Sequence, residues 1–312
     1  MRVVVLDDYQ DVARHCADWN LLGTVEFVHE HRSGRELTDR LAGVEVVVAM
    51  RERTPFGAAE FAALPDLRLL VTTGTANASI DLDAARAHGV VVCGTGMVEP
   101  PTAELTWGLV LALVRAIPTE QQGLRDGHWQ LGLGTGLAGR TLGTIGFGRL
   151  GRRVARIAQA FEMDVLAWSQ HLDAEEARNA GVEPVSKQEL LRRSDVVTIH
   201  TKLSDRTRGL LGAAELSWMK PSAVLVNTSR GPVLDTDALV AALHAGTIAG
   251  AALDVYDTEP LPADHPLRQA PRTVLTPHIG YVTEETYRVF YGDAVEDVLA
   301  WSAGRPVRVL TP

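Results

Sequence analysis

Short apolar runs recur along this chain with helix-like stretches between them, and that alternation restricts the fold more than any other feature. "RVVVLDD" (2–8), "VEVVVAM" (44–50), "LRLLVTT" (67–73) and "GVVVCG" (89–94) are β-branched or leucine-rich and lack a polar face. Runs of that kind suit parallel strands covered on both sides. Between them lie stretches such as "SIDLDAARAHG", where Ser79 or Asp81 can cap a helix and Gly89 can stop it. A second series follows: "TLGTIGFG", "MDVLAWS", "SDVVTIH", "SAVLVNTS", "IAGAALDVY" and "RTVLTPHIG". Strand and helix in succession predict α/β architecture with parallel sheets.

Two such series in 312 residues point to two doubly wound domains, as the length alone favours. "GTGMVEPPTAELTWGLVLALVRAIP" opens with Gly and Pro, then becomes a long apolar helix, and reads as the crossover between domains. The final segment, "TEETYRVFYGDAVEDVLAWSAGRPVRVL", has helical spacing and is expected to end in a short strand back in the first domain. The expected organisation is a discontinuous domain, residues 1–98 and 283–312, with a second domain, 99–282, inserted in it.

A formal charge of −9 argues against general nucleic-acid binding, which needs a basic face. Two cysteines, Cys16 and Cys93, offer neither a disulfide framework nor a Cys-rich zinc site. No His/Cys/Asp spacing forms a credible metal ligand set, so no metal is expected. No apolar run reaches the roughly 20 residues of a membrane span, and "MRVVVLDD" enters a strand without a signal-peptide pattern. A cytoplasmic protein is the expectation.

The stretch "TIGFGRLGRRVARIAQAFEMDVLAWSQ" sharpens the reading of the inserted domain. Gly146, Gly148 and Gly151 form G-x-G-x-x-G between a strand and an amphipathic helix. Glycines so spaced permit a tight turn, close approach of a pyrophosphate, and tight packing of helix on strand. The phosphates would meet free N–H groups and the positive end of the helix dipole. A Rossmann-type dinucleotide-binding domain is therefore expected. The carboxylate that normally accepts both ribose hydroxyls is missing, and Ser169 stands in its place. Its loss removes an attraction for NAD and a repulsion against NADP, which tilts the cofactor reading toward NADP. Ser169, Gln170 and a protonated His171 could line a phosphate site, although no arginine sits at that strand tip.

Three further patterns follow in order: "VNTSRGPVLDTDALVAAL" with Arg230, "GAALDVYDTEPL" with Glu259, and "LTPHIG" with His278. Together with the glycine loop they resemble the D-isomer-specific 2-hydroxyacid dehydrogenase family over nearly the whole chain. The resemblance implies a flavodoxin-like substrate domain beside the Rossmann-type one, and implies that Arg230, Glu259 and His278 are catalytic. The chemistry suits those residue types. Reducing a 2-keto acid needs a hydride at carbon and a proton at the developing alkoxide. An imidazole can deliver that proton near neutral pH. A neighbouring carboxylate favours imidazolium and fixes its tautomer, and a guanidinium fork suits a substrate carboxylate and carbonyl oxygen.

By the same resemblance, Asp254 should accept from a nicotinamide carboxamide, and Arg149 and Leu150 should lie at the pyrophosphate. Thr228, Ser229 and His200 should pass close to the cofactor. Gly74 and Thr75, in "VTTGTANASIDL", match the loop whose amides hold a substrate carboxylate, an anion nest in form. Arg51, in "MRERTPF", matches a substrate-side arginine in some relatives. Departures fall at Ala76 and Ala78 in that loop, at Lys202, and at Tyr281, where a small residue is usual.

Competing activities within the same fold are a formate or phosphite dehydrogenase and a corepressor-like protein that reads cofactor state without catalysis. Formate dehydrogenases carry glutamine where this chain has Glu259, because formate oxidation sends no proton through the histidine. The long apolar helix around Leu105 to Ile117 and the habits of relatives imply a homodimer.

Overall fold

The computed structural model describes residues 1–310. Two compact units divide the chain: Met1–Val98 together with the segment from Val282 onward, and Glu99–Tyr281. In the first unit lie strands β1 (Val3–Val5), β2 (Val25–Phe27), β3 (Val46–Ala49), β4 (Leu69–Thr72) and β5 (Val91–Gly94). They form one parallel sheet in the order β2-β1-β3-β4-β5. This is the doubly wound, flavodoxin-like order. β1, β3 and β4 are buried along their whole length, as continuous valine and leucine runs require. β2 is only half-buried at the sheet edge, and "VEF" carries no apolar run that would announce it.

The helix Leu82–Ala87 starts where Asp81 accepts the backbone N–H of Ala84, and beyond it Gly89 adopts φ +72°. The long helix Glu284–Ser302 belongs to this unit and packs on β4. The short strand expected after it is a single antiparallel bridge of Val309 to Cys93. Arg308 interrupts the extended run: its φ is +51° and its guanidinium turns to Asp297 at 3.0 Å.

The second unit holds β6 (Thr141–Ile145), β7 (Asp164–Trp168), β8 (Glu183–Pro184), β9 (Val196–Ile199), β10 (Val224–Asn227), β11 (Gly250–Leu253) and β12 (Thr273–Leu275). All pair in parallel, in the order β12-β11-β10-β9-β6-β7-β8. Strand order reverses between β6 and β9, and open sheets of this kind bind ligands at the carboxyl ends beside that point. The apolar runs extend past the strands. Gly146, Ser169, His200, Thr228, Asp254 and His278 all lie just beyond a carboxyl end, in the loops.

The helix Pro100–Val114 packs against β10, β11, β12 and the helix Arg149–Ala160. Trp107, Leu109, Val110 and Val114 are buried there, so most of its apolar surface is consumed inside the unit. Exposed apolar surface begins after it: Trp129 is 78% exposed and Leu133 fully so, with Ile117, Leu124 and Leu131 also open. Among the described residues, no helix is long and apolar enough to cross a membrane.

Candidate active site

Three adjacent strands, β10, β11 and β12, deliver Arg230, Glu259 and His278 from their carboxyl ends. His278 Nδ1 lies 2.6 Å from Glu259 Oε2, and the other carboxylate oxygen accepts the Tyr256 N–H at 2.9 Å. The carboxylate is therefore oriented by its own loop, and it holds the ring through one nitrogen. The contact engages Nδ1 and not Nε2. The edge of one ring meets the face of the other between His278 and Tyr281, with centroids 5.6 Å apart, and Tyr281 is buried.

His278 itself has φ +54°, an uncommon backbone for a non-glycine residue. Asp254 clamps the segment around it. One carboxylate oxygen accepts Thr276 Oγ1 at 2.6 Å and the Ile279 N–H at 2.8 Å, and the other accepts the Gly280 N–H at 2.8 Å. Burial raises the Asp254 carboxyl above its ordinary range, and these three donors oppose the rise. Its expected carboxamide contact would thus add to a carboxylate already engaged by the chain.

Arg230 donates to the Ser229 carbonyl at 2.7 Å and opens the turn Gly231–Val233. Asn227 braces that turn, accepting from Ser229 N and donating to the Arg230 carbonyl, both at 3.0 Å. A Cβ on Gly231 would sit 2.1 Å from the Tyr256 carbonyl carbon, so the loops after β10 and β11 touch backbone to backbone. Asn227, Tyr256 and Thr276 are the supports that sequence reading missed. Only Asn227 carries a local signal, an Asx turn in "NTS".

At the end of β6, Gly146 has φ +96°, and a Cβ there would meet His200 backbone at 2.7 Å. A Cβ on Gly151 would lie 2.1 Å from the Gly146 carbonyl oxygen. Among the described residues, nothing lies within 4 Å of the Cβ position of Gly148. The loop is thus tightly packed on its inner side and open at its middle glycine, where the helix Arg149–Ala160 begins without a side-chain cap. An anionic group can approach there. Beside it both ring nitrogens of His200, and Thr201 Oγ1, are buried without a partner among the described residues. Burial drives His200 down to about 3, so its ring is neutral. Buried polar atoms left unmatched beside a glycine cradle are what a bound dinucleotide would satisfy. The residues present fit that cofactor.

Other expected contacts are already occupied. Thr228 Oγ1 is 2.8 Å from Thr106 Oγ1, Ser229 Oγ donates to the Thr201 carbonyl, and Arg149 pairs with Glu99 at 2.8 Å. Leu150 is half-buried against the apolar core of its unit. Ser169 Oγ accepts the N–H of Phe147 at 2.7 Å, closing the glycine loop onto the tip of β7.

In the first unit, Arg51 has φ +51° and lies across Gly74, where a Cβ would fall 1.8 Å from its Nη1. That nitrogen donates to the Thr73 carbonyl at 3.1 Å. The Gly74 N–H, expected to face a substrate carboxylate, donates to Thr95 Oγ1 at 2.7 Å instead, because the hydroxyl sits directly against the turn. Thr75 is exposed beside it.

The profile of the D-isomer specific 2-hydroxyacid dehydrogenase, NAD binding domain, matches residues 107–280. A glyoxylate reductase of Aeropyrum pernix is 40% identical over 251 residues, which is 77% of this chain and 75% of that protein. A D-3-phosphoglycerate dehydrogenase of Archaeoglobus fulgidus is 36% identical over 279 residues, 88% of this chain but only 53% of its own length. The solved structure of a phosphoglycerate oxidoreductase from Vibrio cholerae superposes with a TM-score of 0.92 at 35% identity, covering 97% of this chain and 99% of that one. With its glycine loop, its two parallel sheets and these relatives, the chain belongs to the D-isomer specific 2-hydroxyacid dehydrogenase family.

Proposed function

We propose that the protein interconverts a small 2-keto acid and its D-2-hydroxy acid with NAD(P), and that reduction passes a proton from His278 Nε2 to the carbonyl oxygen. The observation that carries this reading is the 2.6 Å contact of His278 Nδ1 with Glu259. It leaves the far nitrogen of the ring for substrate and orients the ring through its near nitrogen. Arg230 would grip the substrate carboxylate and polarise its carbonyl through the guanidinium fork. The nicotinamide, when bound, supplies or accepts the hydride at the carbonyl carbon. In the oxidative direction His278 is the base.

Glyoxylate and hydroxypyruvate are the first substrates to try, since relatives are named glyoxylate reductase and glycerate dehydrogenase. A panel of 2-keto acids run with NADH and with NADPH, followed by loss of reduced-nicotinamide absorbance, tests the reading. Turnover of at least one small 2-keto acid is expected. Cofactor binding without turnover across the panel would overturn it.

The exposed Ile117, Leu124 and Trp129, which line one groove, support a homodimer, because apolar residues grouped on a surface mark an interaction site. Light scattering at twice the chain mass is expected. Free Cys16 and Cys93 suit a reducing cytoplasm.

A further inference from the structure

Among the residues around the glycine loop, Arg152 has no role in the reaction, and the fold brings it against Phe147, the residue bonded to Ser169 at the tip of β7. Its Nε donates to the Phe147 carbonyl at 3.2 Å, and its guanidinium lies 5.2 Å from the centre of the Phe147 ring. The N–H of the same Phe147 goes to Ser169 Oγ. Arg152 and Ser169 thus hold Phe147 from two sides, and Ser169 occupies the ribose-reading position.

We propose that Arg152 is the residue that reads the 2′-phosphate of NADP(H), with the Ser169 hydroxyl as its partner donor. The inference rests on the dinucleotide reading above. A serine that accepts a backbone N–H keeps its own O–H to donate, and a phosphate oxygen accepts such a proton. Arg152 is braced by Phe147 while its fork faces Glu176, with which it pairs. That pair is solvent-exposed, so it is weak. A phosphate dianion offers the same fork more charge and more acceptor oxygens than one carboxylate.

The surroundings carry matching charge. A groove of about 450 Å³ runs from Phe147 along the helix Arg149–Ala160, lined by Arg149, Arg152, Arg153 and Arg156 and by the acid Glu99. Arg149 and Arg152 have acidic partners, whereas among the described residues Arg153 and Arg156 have none. On a chain of net charge −9, this local excess of cations favours an anion at the loop.

The test is equilibrium titration of the purified chain with NADPH, NADH and 2′,5′-ADP, followed by tryptophan fluorescence. For Arg152→Ala, the Kd for NADPH and for 2′,5′-ADP is expected to rise by about tenfold or more, a charge-assisted hydrogen bond's share, with the NADH Kd within about twofold. Arg152→Lys, which keeps the charge and the stem over Phe147, should recover part of the loss. Glu176→Gln should tighten NADPH and leave NADH alone. Equal weakening of both nucleotides in folded Arg152→Ala, or no weakening of either, overturns the assignment while leaving the dinucleotide site standing. Failure of the unaltered chain to bind either nucleotide overturns both.

Discussion

Asp254 accepts the backbone N–H of Ile279 at 2.8 Å and so pins the residue that follows His278. With Thr276 and Gly280 held by the same carboxylate, a left-handed backbone at His278 is fixed from both sides. An amide offers one acceptor oxygen where this site uses two, and its NH₂ would face a donor N–H. Asp254→Asn should therefore lower kcat by roughly 10- to 100-fold and cost about 1–3 kcal/mol of stability. Steady-state kinetics with denaturant melts would check this, and normal kcat in a folded variant would contradict the clamp.

Proton transfer sets the next expectation. His278→Ala should cut turnover by a factor on the order of 10² to 10⁴, with cofactor Kd unchanged. Glu259→Ala should act in the same direction by a smaller factor, because the ring loses its orienting partner but stays in the loop. If His278→Ala turns over at the unaltered rate, the assigned acid is wrong.

Arg230→Lys removes the planar fork while preserving charge. Substrate KM should rise and kcat fall together, by roughly tenfold or more, since an ammonium cannot make the two parallel bonds. Unchanged kcat/KM across the keto-acid panel would assign the substrate carboxylate to another group.

Gly151→Ala tests the glycine loop sterically. Its Cβ would meet the Gly146 carbonyl oxygen at 2.1 Å, and backbone cannot swing aside as a side chain can. Overpacking of this kind costs about 1–3 kcal/mol, and nucleotide affinity should fall with it. A variant that melts and binds as the unaltered chain does would show that the loop opens freely.

His31 gives the pH test. Its side chain is 3.3 Å from an Asp7 oxygen, and that hydrogen bond raises it above the ordinary imidazole value against the opposing effect of burial. A group raised in the folded state adds stability that is full below the unfolded value of roughly 6.5 and is lost as pH rises through the folded value. Denaturant midpoints should therefore fall as pH rises above roughly 6.5, and His31→Gln should flatten that slope. An identical slope in both chains would remove His31 as its source.

Much of the architecture was legible because it is written locally. Short valine and leucine runs bounded by turn residues suit strands covered on both faces, and glycines spaced as in "GFGRLG" suit a tight turn before a helix. β2 escaped because an edge strand half-open to solvent needs no apolar run. The long apolar helix around Leu105 to Ile117 suggests a subunit contact when only its composition is in view. In the structure it is wrapped by strands and by another helix, and the exposed apolar residues lie further along.

The residue types at the strand ends, and the order in which they come, are properties of the chain taken alone: its continuous apolar runs set the strands, and each strand's end set the loop. Which side chains meet was decided only by folding. Nothing in spacing tells that Asp254 grips both sides of His278, that the Gly74 amide is taken by Thr95, or that Arg152 reaches round to Phe147. Such contacts join residues on different elements, and their partners are chosen by close packing, where a Cβ's width at Gly146, Gly151 or Gly231 separates fit from collision.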